Sequence, residues 1–132
     1  MFKLPVVAVL AAVLVAGPAF ADQHYTVVAS NPQSGATIKI PDGDELLLKL
    51  TACESCGYQW KITQKPNAAV VVFDKRLKSV SQCTAPCTGG NATERFQFSS
   101  KSVGSTTVKL GYFGPGKSKP SKVKRLDLAV TA

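Results

Sequence analysis

The stretch ELLLKLTACESCGYQWKITQ, residues 45–64, reads as two strands joined by a cysteine-bearing loop. ELLLKLTA (45–52) is a largely apolar run. YQWKITQ (58–64) sets Tyr58, Trp60 and Ile62 against Gln59, Lys61 and Thr63. Alternation with period two sends one face of a strand into a core and leaves the other wet. The same reading extends outward in both directions. YTVVA (25–29) and ATIKI (36–40) precede it, separated by Asn-Pro-Gln-Ser-Gly and Pro-Asp-Gly-Asp turns. AVVVFD (69–74), RLKSVSQ (76–82), TERFQFSS (93–100), STTVKLGYF (105–113) and KVKRLDLAVT (122–131) follow. Val108, Leu110 and Tyr112 share one face, as do Leu126, Leu128 and Val130. Short β-branched and aromatic runs at this spacing, with Gly, Pro and Asn turns between them and no sustained helical period, predict one all-β domain, a sandwich or barrel.

Residues 1–21 are read separately. Met1-Phe2-Lys3 is a short positive start, LPVVAVLAAVLVA (4–16) is continuously apolar, and Ala19-Phe20-Ala21 offers small residues at the positions a signal peptidase reads. The apolar run is short for a membrane span, and no second one follows. The expectation is a signal peptide of bacterial type at 1–21 and an exported domain at 22–132, periplasmic or secreted. Asn91-Ala92-Thr93 is a formal glycosylation acceptor, which that export route leaves unmodified. Removing the signal takes Lys3 and lowers the formal charge from +8 to +7. Five cations crowd into KSKPSKVKR: Lys117, Lys119, Lys122, Lys124 and Arg125. A run of this kind is ordinarily a solvated edge, or else a face for an anionic partner. Nucleic acid is not expected as a partner, because neither stacked aromatics nor a helix-turn-helix pattern accompanies the charge. No membrane partner is expected once the signal is removed.

Catalysis is hard to assemble from these residues. The single histidine, His24, lies near the start of the exported part, and nucleophilic catalysis needs a base held in place. The acids Asp42, Asp44, Glu45, Glu54, Asp74, Glu94 and Asp127 are scattered, and no Gly-rich loop opens a helix. The chain reads as a non-enzyme without a cofactor.

The four cysteines fall in two short pairs, Cys53-x-x-Cys56 and Cys83-x-x-x-Cys87. Four thiolates at Cys53, Cys56, Cys83 and Cys87 match a tetrahedral zinc site in spacing. A redox-active pair would open a helix, which this one does not. Export and an even count favour disulfides. Bonds within each pair close small rings, whereas a cross-loop bond closes about 30 residues and contributes roughly 3–4 kcal/mol. Cross-loop bonding, Cys53–Cys87 with Cys56–Cys83 or the converse, is therefore the expectation.

Three motifs in order resemble the chagasin-like family of cysteine-protease inhibitors: Gly57-Tyr58-x-Trp60, Gly89-Gly90 ahead of Phe96-x-Phe98, and Leu110-x-Tyr112-x-x-Pro115. The resemblance runs from about Ser34 to Ala132. It implies an immunoglobulin-like β-sandwich of 7–8 strands, with three loops at one end that enter the cleft of papain-like proteases. The first loop would present Glu54, Ser55, Cys56 and Gly57, with Ser55 and Cys56 where the family places threonines. Thr88, Gly89 and Gly90 would form the second, and Gly114 and Pro115 the third, which lacks the family's arginine and aromatic. The resemblance further implies that the cysteine pairs lie on neighbouring loops, so that disulfides pre-organise them for binding. The implied function is a monomeric inhibitor of a papain-like cysteine protease, needing no chemistry of its own. The competing reading is the same scaffold with rebuilt loops, serving as a four-cysteine metal site or binding an anionic partner through Lys117–Arg125.

Overall fold

A computed structural model describes residues 24–83 and 90–132. The residues form eight strands: β1 (Thr26–Ser30), β2 (Thr37–Pro41), β3 (Glu45–Ala52), β4 (Gln59–Gln64), β5 (Val71–Ser81), β6 (Ala92–Ser100), β7 (Gly104–Phe113) and β8 (Lys122–Thr131). One four-stranded sheet runs β1-β3-β6-β5 and the other β2-β8-β7-β4. β1 pairs with β3 and β2 with β8 in parallel; every other pair is antiparallel. Two mainly antiparallel sheets packed face to face make the immunoglobulin-like sandwich.

Alternation decides which side chains meet between the sheets. In β3 the even positions Leu46, Leu48, Leu50 and Ala52 are buried, and Phe96 and Phe98 of β6 lie beside them. The opposite sheet supplies Ile38, Ile40, Trp60, Val108, Leu110, Leu126, Leu128 and Val130. Each large apolar side chain enclosed this way stabilises the fold by about 1.5–3 kcal/mol relative to exposure.

The runs 69–74 and 76–82, which look like separate elements in the sequence, are one strand. β5 continues through two register shifts against β6, between Phe73 and Lys75 and between Leu77 and Val80. A bulge resets which residues face inward, so the alternation is interrupted without the strand ending. β5 lies at a sheet edge, where bulges also discourage pairing with another chain.

Candidate functional site

Strand register gathers three connections at one end of the sandwich. Ala92 opposes both Ala52 and Ser81, so the segments leaving β3 and joining β5 to β6 begin side by side. In the other sheet Gln59 opposes Phe113 and Tyr112 opposes Lys122, which places the β7–β8 connection beside the start of β4.

The first connection is a tight turn. Glu54–Cys56 form one 3-10 turn, closed by Gly57 N–H donating to Glu54 O at 2.9 Å and Tyr58 N–H to Cys53 O at 3.0 Å. Gly57 ends the turn at φ 83°, a left-handed conformation that any side chain would strain. Cys53 and Cys56 are bonded to each other, with Cα atoms 5.2 Å apart. This corrects the cross-loop expectation: the turn brings the two sulfurs together locally, ahead of any partner from another loop. Cys83 is disulfide-bonded as well, and Cys87 lies outside the described residues. With Cys53 and Cys56 joined, neither is a thiolate ligand, so the four-cysteine metal site is not assembled in this state. Among the described residues no group of three or more His, Cys, Asp or Glu could hold a metal ion.

Contacts tie this turn to both neighbours. Ser55 Oγ donates to Gly90 O at 3.1 Å and accepts from Gly90 N–H at 3.2 Å. A Cβ on Gly57 would come within 3.0 Å of Pro115 Cβ, and one on Gly114 within 3.0 Å of the Tyr58 ring. The glycines therefore permit the first and third connections to close on each other. Beneath them Tyr112 stacks on Tyr58 at 5.0 Å and tilts against Trp60 at 4.7 Å. The Tyr112 hydroxyl accepts from Cys53 N–H at 2.8 Å, and Trp60 Nε1–H donates to Thr51 O at 2.9 Å. Trp60 is core; Tyr58, one residue before β4, is half-buried at the rim.

Of the site residues expected from sequence, Glu54, Ser55, Cys56, Gly57, Gly90, Gly114 and Pro115 meet at this end, while Thr88 and Gly89 lie outside the described residues. A fourth segment, 31–36, joins them. The Asn31 side chain accepts from Thr51 N–H at 2.8 Å and donates to Thr51 Oγ1 at 3.0 Å, and Ser34 Oγ accepts from Arg125 N–H at 3.0 Å. Part of the basic run turns inward as well. Lys124 lies 5.3 Å from the Trp60 ring and donates to Pro32 O at 2.9 Å; burial and then the nearby Lys122 lower its pKa.

Sequence reading did not isolate the network under the first turn. Glu94 is fully buried and accepts from Trp60 N–H and Arg76 Nη2, each at 2.6 Å. Arg76 also donates to Trp60 O at 2.8 Å and reaches Glu54 at 3.8 Å, and Glu54 accepts from Ser79 Oγ at 2.8 Å. Burial, then a hydrogen bond with Glu54, raises the Glu94 pKa to about 7. Glu54 is held below its ordinary value, chiefly by that same bond and further by Ser79 and Arg76. The available signal was a glutamate in phase with Ala92, Phe96 and Phe98, at a position that should face the core.

Residues 39–130 match the family model described as "Chagasin family peptidase inhibitor I42". The chain belongs to the chagasin family. That family comprises peptidase inhibitors and not enzymes. No curated protein matches the sequence. Among solved structures, the cysteine protease inhibitor EhICP2 from Entamoeba histolytica is 20% identical with a TM-score of 0.65, over 80% of this chain and 96% of that one. Amebosin is 16% identical with a TM-score of 0.60, over 81% and 98%. PbICP-C, solved in complex with falcipain-2, is 13% identical with a TM-score of 0.53, over 80% and 98%. At such identities the likeness establishes the shared sandwich and leaves the loops to be argued from this chain.

Proposed function

We propose that the protein is an exported, monomeric inhibitor of papain-like cysteine proteases, which it blocks by lodging the loops at one end of the sandwich in their cleft. Residues 1–21 direct export to the periplasm or beyond and are then removed. Glu54, Ser55, Cys56 and Gly57 enter the cleft from the first loop, flanked by Thr88, Gly89 and Gly90 of the second and Gly114 and Pro115 of the third. The observation that carries this reading is the closure of the first loop on its neighbours through Ser55–Gly90 and Gly57–Pro115. A loop already held in one conformation loses little entropy on binding. Family membership supports the class of partner, and so does the pairing of PbICP-C, a neighbour in fold, with falcipain-2.

The test is a titration of the oxidised protein against papain or a cathepsin L-like enzyme that has been activated and then freed of reductant. Stoichiometric inhibition, weakened by prior reduction of the inhibitor, is the expected result. No inhibition at micromolar concentration would leave the sandwich standing and remove the function.

A further inference from the structure

The Cys53–Cys56 disulfide is not what holds the first loop in place. It joins residues three apart and so restrains only a small ring. The loop's position is set by Cys53 N–H on the Tyr112 hydroxyl, by Ser55 on Gly90, and by Gly57 against Pro115. The two sulfurs also differ in surroundings. Cys53 is half-buried and anchored through its backbone, whereas Cys56 is exposed and precedes the left-handed Gly57 at the loop's outer edge.

An exposed disulfide is an electrophile toward one common biological group, the thiolate. A papain-like protease holds such a thiolate in its cleft, kept ionised by a neighbouring histidine. Resting on the function proposed above, we infer that the Cys53–Cys56 bond is a reversible trap for the catalytic thiolate of the target protease. The protease sulfur attacks Cys56 Sγ, the bonding pair of the disulfide leaves on Cys53 Sγ, and a protease–Cys56 disulfide forms. One thiolate is consumed and one produced, so the exchange needs neither an oxidant nor a net proton. Ser55 Oγ lies 3.7 Å from Cys53 Sγ, and its hydroxyl proton, which rests on Gly90 O, would turn to the departing thiolate. The Glu54 carboxylate engages Ser79 and Arg76, which offsets its repulsion of an incoming anion.

Return is built into the same geometry. Cys53 stays tethered beside Cys56 and re-attacks it, expelling the protease thiolate. That thiolate has the lower pKa and is the better leaving group. The mixed disulfide is therefore short-lived and adds to the non-covalent grip of the three loops.

The test makes the leaving group visible. A Cys53→Ser chain carries thionitrobenzoate on Cys56, and a Lys101→Cys chain carries the same group at the opposite end of the sandwich. Each is mixed with active papain without reductant. The Cys56 conjugate is expected to release one thionitrobenzoate per protease and leave a disulfide-linked one-to-one complex, about 100-fold faster than the Lys101→Cys conjugate because the sulfurs are held together. Equal rates from the two conjugates, with the unmodified chain still binding papain whose thiol has been alkylated, would overturn the trap and leave the inhibitor. Failure of the unmodified chain to inhibit active papain would overturn the function itself, and the trap with it.

Discussion

Glu94 occupies a core-facing position of β6 between Ala92 and Phe96, where its neighbours in phase are apolar. Burial favours its neutral form and Arg76 favours its charged form, and burial is the larger effect, giving a pKa of about 7. Its folded value lies above the ordinary 4.5, so its contribution to stability is greatest below pH 4.5 and declines as pH rises toward 7. Glu54 has the opposite sign: its contribution is present above pH 4.5 and is lost as pH falls through its lowered folded value. Glu94→Gln should therefore remove the decline in thermal midpoint between pH 4.5 and 7 while leaving the acid-side loss, as read from melts across the acid-to-neutral range. Arg76→Met, which strands a buried carboxylate, should cost about 3 kcal/mol, and more in mildly alkaline than in mildly acidic buffer. Tyr112→Phe leaves Cys53 N–H without its acceptor and should cost about 1 kcal/mol in denaturant unfolding. It should also weaken inhibition, because that bond holds the base of the first loop. Glu94 could be read from the sequence as a polar residue out of place, but not its partner: Arg76 lies on another strand, 18 residues away.

Among the strands, β3 follows its alternation of burial from end to end, 45–52, and β8 follows it from Leu126 to Val130. β5 does not, since its bulges depend on register against β6 and leave no local mark that distinguishes a bulge from a turn. The first loop is the converse case. Its left-handed Gly57 is a local requirement, but the contact of Gly57 with Pro115 comes from a third loop far along the chain. Gly57→Ala should cost about 1–2 kcal/mol for the left-handed backbone. It should also separate the first and third loops, so that inhibition falls by more than the change in melting temperature implies; parallel melts and inhibition titrations would separate the two effects. The disulfide is likewise a property of the loop. A ring closed within about four residues contributes about 2 kcal/mol by chain entropy, against roughly 3–4 for the cross-loop bond expected from sequence. The Cys53→Ser, Cys56→Ser double variant should lose no more than the smaller figure in urea. A larger loss would restore the cross-loop pairing.

For the molecule as a whole, the all-β class, most of the core and the three motifs that place the chain among the chagasin inhibitors were legible in the order of residues alone. They follow from strand alternation and turn residues, which are properties of consecutive positions. Three features became definite only in the folded chain: Cys53 bonds Cys56, the two strand-like runs 69–74 and 76–82 are one bulged strand, and Arg76 neutralises Glu94 beneath the first loop. Each is a choice among partners that the chain makes available at similar cost, and sheet packing settles it by setting which side chains lie within reach. The same packing brings the 31–36 segment to the loop end through Asn31–Thr51 and Ser34–Arg125. Those contacts span 20 and 91 positions of chain, far beyond what local pattern encodes.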